Sequence, residues 1–172
     1  MAKVTKLSVV QTTGNIELRE ITGKVTRFTV NDSTHAIEDG WHATTRLSFQ
    51  IPVKASQFQG FGEYDIIAAL ESVGHRQSEG GGKTATNCRI KRAMPVTEIK
   101  LEGDKGVDLV FMADFKTVVF KAVKGELTLC LTVDADLMAA SLPTLAAFRG
   151  SDIKITTTTA QGELALDKSA AA

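Results

Sequence analysis

Two cysteines among 172 residues, far apart at Cys88 and Cys130, match no zinc or redox spacing. Nothing in the chain therefore asks for an oxidising compartment. Proline is scarce, with three residues, and aromatic residues make up only 6%. So few rings leave little for base-stacking platforms once a core is filled. Net charge is missing as well, because 20 basic residues face 20 acidic ones. That balance excludes a bulk polycation, so any attraction for nucleic acid must come from local segregation of charge. No apolar run approaches the roughly 20 residues that span a bilayer, and the amino terminus has no signal-peptide stretch. These absences predict a cytoplasmic chain with no membrane contact.

What is present is β-like alternation. In Glu126–Asp134, Leu127, Leu129, Leu131 and Val133 share one face while Thr128, Cys130 and Thr132 share the other. Thr117–Val123 reads as its partner, with a turn at Lys124 and Gly125. Arg46–Val53 and Lys24–Val30 alternate in the same way, and Val4–Gln11 with Ile16–Ile21 suggests an opening hairpin around Gly14 and Asn15. Val96–Glu102, Val107–Met112 and Asp152–Thr159 complete a set of about eight or nine strands. Two segments carry helical spacing instead, 61–73 with a stop at Gly74, and 135–149 with a stop at Gly150. Pro143 inside the second predicts a kink or a break. The fold class expected is α+β, mainly antiparallel sheet with two helices. One globular domain over 1–167 and a flexible tail at 168–172 account for the length.

The polar, glycine-rich stretch at 74–84 interrupts this pattern. Gly81-Gly82-Lys83-Thr84 resembles the end of a phosphate-binding P-loop. The full motif needs a glycine where Gln77 stands, a strand before the loop and a helix after it. The flanking sequence supplies the reverse order, so a nucleotide triphosphate site is rejected. Charge is more informative: between Gly74 and Arg92 stand Arg76, Lys83, Arg89, Lys91 and Arg92 against Glu79 alone, which makes the segment +4. The remainder of this neutral chain is therefore −4. A flexible basic loop feeding a basic strand is suited to tracking a phosphate backbone. The bland alternative is a solvated loop whose cations pair with acids elsewhere.

Other chemistry is thinner. Trp41 lies in the polar segment Asn31–His42 and could anchor a partner. The same segment holds Asp32, His35, Glu38, Asp39 and His42. Seven positions apart, His35 and His42 fall on opposite faces of a strand, and only a folded-back loop could bring them to one ion. No third ligand is evident, so neither a metal site nor a cofactor is assigned. Gly-x-Ser-x-Gly is absent, Cys130 sits in an alternating strand, and Asp134 with Asp136 reads as a helix cap. No catalytic residue emerges.

The run from Leu127 to Met138, then Leu142-Pro-Thr-Leu-Ala-Ala-Phe-Arg-Gly, then Ile153-Lys-Ile, resembles the ends of small early-region accessory proteins of tailed phages. The resemblance implies a phage-encoded accessory protein, working in the host cytoplasm, and assigns no residue a role. Together these readings predict a non-enzymatic binding protein that contacts DNA or RNA, or another polyanion, through 74–92. The alternative is a protein-binding or assembly module, a host-factor inhibitor or virion subunit, using sheet edges for host partners or for a second copy. A metal-dependent enzyme built on His35 and His42 is the third reading.

Overall fold

The computed structural model describes residues 14–38, 40–78, 87–123 and 126–159. The strands are β1 (Leu18–Ile37), β2 (Gly40–Pro52), β3 (Asn87–Ile90), β4 (Thr97–Glu102), β5 (Asp108–Val123), β6 (Glu126–Met138) and β7 (Asp152–Thr159). Two helices interrupt them, α1 (Tyr64–Ser78) after β2 and α2 (Leu142–Phe148) after β6. All strand pairs are antiparallel, and the sheet runs β3-β5-β4-β7-β1-β2-β6. A further pairing of β5 with β6 joins its ends, so six strands close into a barrel and β3 is added outside the ring. The expected antiparallel sheet with two helices is therefore present, and closure is what the sequence did not announce.

Closure follows from β5. One edge of this long strand pairs with β6 from Ala113 to Val123. Its other edge pairs with β4 over 108–113 and with β3 over 118–121. Every second residue then points inward. Leu127, Leu129, Leu131, Val133, Ala135 and Leu137 of β6 are all buried, as are Leu47, Phe49 and Ile51 of β2. A barrel this small is filled by side chains rather than hollow. Phe58, Phe61 and Phe120 meet edge to face, with the Phe58 and Phe120 centroids 4.9 Å apart, and this cluster docks the start of α1 on the barrel.

The strand β1 enters irregularly. Glu20 has a φ of 48°, and the β1–β7 register shifts between Leu18 and Ile21. Threonine hydroxyls take over where the ladder fails. Leu18 N–H donates to Thr157 Oγ1 at 2.8 Å, Thr157 Oγ1 donates to the Ile16 carbonyl at 2.8 Å, and Glu20 N–H donates to Thr156 Oγ1 at 3.1 Å. Backbone groups at a bulge still need partners, and the four-threonine end of β7 supplies them.

Several boundaries differ from the sequence expectation. Ile16–Ile21 and Lys24–Val30 belong mostly to one strand, which continues through the polar segment to Ile37. The second helix does not begin at residue 135. Ala135 and Leu137 continue the inward alternation of β6, and α2 starts only at Leu142, with Pro143 in its first turn where a missing N–H costs nothing. Asp134 and Asp136 are thus strand residues and cap nothing. At the other helix, Gly74 does not stop α1; it is buried inside a helix that continues to Ser78. Val4–Gln11, the turn at Lys124 and Gly125, and the tail at 168–172 lie outside the described residues.

Candidate anion-binding face

β3 sets the orientation of the basic segment. Cys88 and Ile90 lie across from Phe120 and Val118, both buried, so they face inward and leave Asn87 and Arg89 outside. Arg89 is exposed, as is Lys91 just beyond the strand. Arg92 takes another course. Its guanidinium carbon sits 4.3 Å from the centre of the Phe61 ring, and its Nε donates to Glu63 Oε1 at 3.3 Å. Arg76 lies in the last turns of α1, and Lys83 lies outside the described residues. Of the five predicted cations, Arg89 and Lys91 reach solvent without a described acidic partner, while Arg92 is held by Glu63.

The register adds cations that the sequence reading missed. Neighbouring strands place Asn87, Lys121, Thr128 and Pro52 in one outward row. Arg89, Val119, Cys130, Gln50 and Lys24 form the next. Thr117, Thr132, Ser48 and Arg27 form a third. No carboxylate occupies any of these positions. Arg89, Lys121, Lys24 and Arg27 are exposed, and a strip of hydroxyls, amide and thiol separates the β3–β5 cations from those of β1. Three strand spacings, about 14 Å, lie between β5 and β1. Lys24 is partly committed, at 3.5 Å from Asp152.

Acids bound this area. Beyond the third row, Arg46 forks Asp134 through Nε at 2.7 Å and Nη2 at 2.8 Å, with Lys116 Nζ 3.8 Å away. The hydrogen bond from Arg46 holds the Asp134 carboxyl below its usual range against the opposing effect of burial. The far side of the barrel has the opposite bias. There Lys100 stands between Glu98 and Glu102 along β4, 2.9 Å from Glu102 and 3.6 Å from Asp108 on β5. An open groove of about 680 Å³ on that side is lined by Glu17, Arg19, Glu20, Lys100 and Glu102. Charge is therefore segregated by the fold in a chain that is neutral in sum.

Nucleophilic chemistry gains no support. Burial pushes the thiols of both Cys88 and Cys130 up, which favours the unreactive protonated form. Trp41 is in β2 rather than a loop, opposite Ala36, and is 63% exposed. The long hairpin also pairs His35 directly with His42. This is the fold-back that their spacing alone did not predict. No protein-family model matches the chain, and no curated protein or solved structure matches it either.

Proposed function

We propose that this protein is a non-enzymatic binding protein for nucleic acid, contacting phosphates through the outer face of β3, β5, β6, β2 and β1. The observation that carries the reading is the absence of carboxylates from three consecutive cross-strand rows that hold Arg89, Lys121, Lys24 and Arg27. Each cation placed on a phosphate releases a condensed counterion, so such a face binds in a salt-dependent manner. The hydroxyls of Thr117, Thr128, Thr132 and Ser48 can hydrogen-bond phosphate and sugar oxygens without reading sequence. No aromatic side chain occupies these rows, so backbone tracking is favoured over base stacking.

The test is fluorescence anisotropy with single- and double-stranded DNA and RNA over a range of salt. Changing Arg89, Lys121 and Arg27 together to Ala lowers affinity and reduces the slope of log K against log salt by about 0.9 per lost contact on a B-form duplex. No binding to any of the four nucleic acids, or an unchanged slope, refutes the reading.

A second reading rests on the β1–β2 hairpin. Beyond Val25, β1 pairs along the strand only with β2 among the described residues, and Trp41, Ile37 and Met138 are exposed around it. An open strand edge beside apolar side chains suits a protein partner or a second copy of the chain. Size measurement and capture experiments with Trp41→Ser separate this from nucleic-acid binding.

A further inference from the structure

We infer, resting on the nucleic-acid reading of this face, that its ligand is double-stranded RNA, straddled across the minor groove with one backbone on β1 and the other on β3 and β5. The cations stand in two separate lines. Arg89 and Lys121, on the neighbouring strands β3 and β5, make one line, and Lys91 follows two residues past Arg89. Lys24 and Arg27 of β1 make the other. All five are exposed. β6 and β2 run between the lines, and neither puts a charge into the three rows. A single strand offers one line of phosphates and fills one side of this face. A duplex presents two, on either side of a groove.

The strip between the lines decides which groove. Four strands abreast, β5, β6, β2 and β1, span about 14 Å, and the outer surface of a barrel is convex. Thr117, Thr128, Thr132, Ser48 and Cys130 are half-buried there, and Gln50 is the longest side chain of the strip. The surface is therefore broad and flush. B-form DNA has a major groove about 12 Å wide, which admits one helix or a two-stranded ribbon, and a minor groove about 6 Å wide. Neither accepts four strands, so on B-form DNA only the cations make contact and the hydroxyls stay clear of the groove. The minor groove of an A-form helix is wide and shallow, and it displays 2′-hydroxyl groups. A threonine or serine hydroxyl both donates and accepts a hydrogen bond, as a 2′-hydroxyl does. The strip of Thr128, Thr132 and Ser48 thus matches that groove in breadth and in chemistry.

The experiment compares a short RNA duplex, the DNA duplex of the same sequence and the single-stranded RNA by anisotropy with the full chain at one salt concentration. The RNA duplex is expected to bind about tenfold tighter than either competitor, as the loss of a few hydrogen bonds to 2′-hydroxyls would give. Thr128→Val, Thr132→Val and Ser48→Ala made together remove that advantage, leave DNA-duplex affinity unchanged and leave the salt slope unchanged. Circular dichroism confirms that the variant keeps its sheet. A second probe needs no variant: 2′-O-methyl substitution of the RNA duplex weakens its binding to the wild-type chain to the level of DNA. A DNA duplex or a single strand that binds as tightly as the RNA duplex overturns the inference and leaves the nucleic-acid reading in place. Equal loss of RNA and DNA duplex binding in the triple variant also overturns it. No binding to any of the three overturns both.

Discussion

Arg92 lies over the face of Phe61 while its Nε reaches Glu63, so a cation from the basic segment is spent on holding α1 to the strand that follows it. Its role is then structural, whereas Arg89, three residues earlier and exposed, is available to a ligand. Arg92→Ala is expected to cost about 0.5–1 kcal/mol of stability through the lost cation–ring contact. The same change leaves the salt dependence of nucleic-acid binding where it was. Arg89→Ala does the reverse. Urea denaturation and anisotropy on the two variants check both halves.

Asp134 predicts a pH dependence. Its carboxyl is held below the usual value by the Arg46 hydrogen bond, so the unfolded chain takes up the proton more readily than the folded one. The pair therefore stabilises the fold above the unfolded value, about pH 3.9, and its contribution is lost as pH falls through the lower, folded value. Asp134→Asn removes this component, so the gap in urea midpoint between wild type and variant narrows as the solution is acidified. A gap that stays constant with pH counts against the ion pair.

Gly103 has no room for a side chain. A Cβ built there runs into Cε1 of Phe148 and stands 3.1 Å from its Cζ. Phe148 is 5% exposed and cannot swing clear without disturbing α2. Gly103→Ala should therefore destabilise by about 1–3 kcal/mol, the usual range for overpacking. The double change Gly103→Ala with Phe148→Leu should recover part of that loss, measured by thermal melting. Additive losses would show that the two residues are not in conflict.

Phe120 tests the closure of the barrel. It is fully buried, stacks edge-on with Phe58 at 4.9 Å, and belongs to the strand shared by β3 and β6. Phe120→Ala is expected to cost about 3–5 kcal/mol. Hydrogen exchange on that variant should show the β5–β6 seam losing protection before β1–β2, because the removed ring sits at the seam. Uniform loss of protection would argue against a distinct seam.

Much of the strand content was legible because alternation is local. Asp152–Thr159 coincides with β7, and Glu126–Asp134 lies inside β6. The errors share one cause. The periodicity of Met138, Leu142, Leu145 and Phe148 belongs partly to a strand end and partly to a short helix, and periodicity over a few turns does not separate the two. Asn31–His42 looked like a loop because it is polar, yet a hairpin that extends along the surface has no core to demand apolar residues.

The sequence alone determined that this chain is β-rich, neutral overall and locally basic at 74–92, since each of these depends on residues close together along the chain. Tertiary structure decided which charges meet. Lys121 and Arg27 join Arg89 on one face through strand pairing between residues far apart in sequence, and Arg92 leaves that face because Phe61 and Glu63 are within reach. His35 comes to lie opposite His42 in register only because the hairpin folds back on itself. A register is a relation between distant segments, and a period of two read along one strand carries no information about its neighbour.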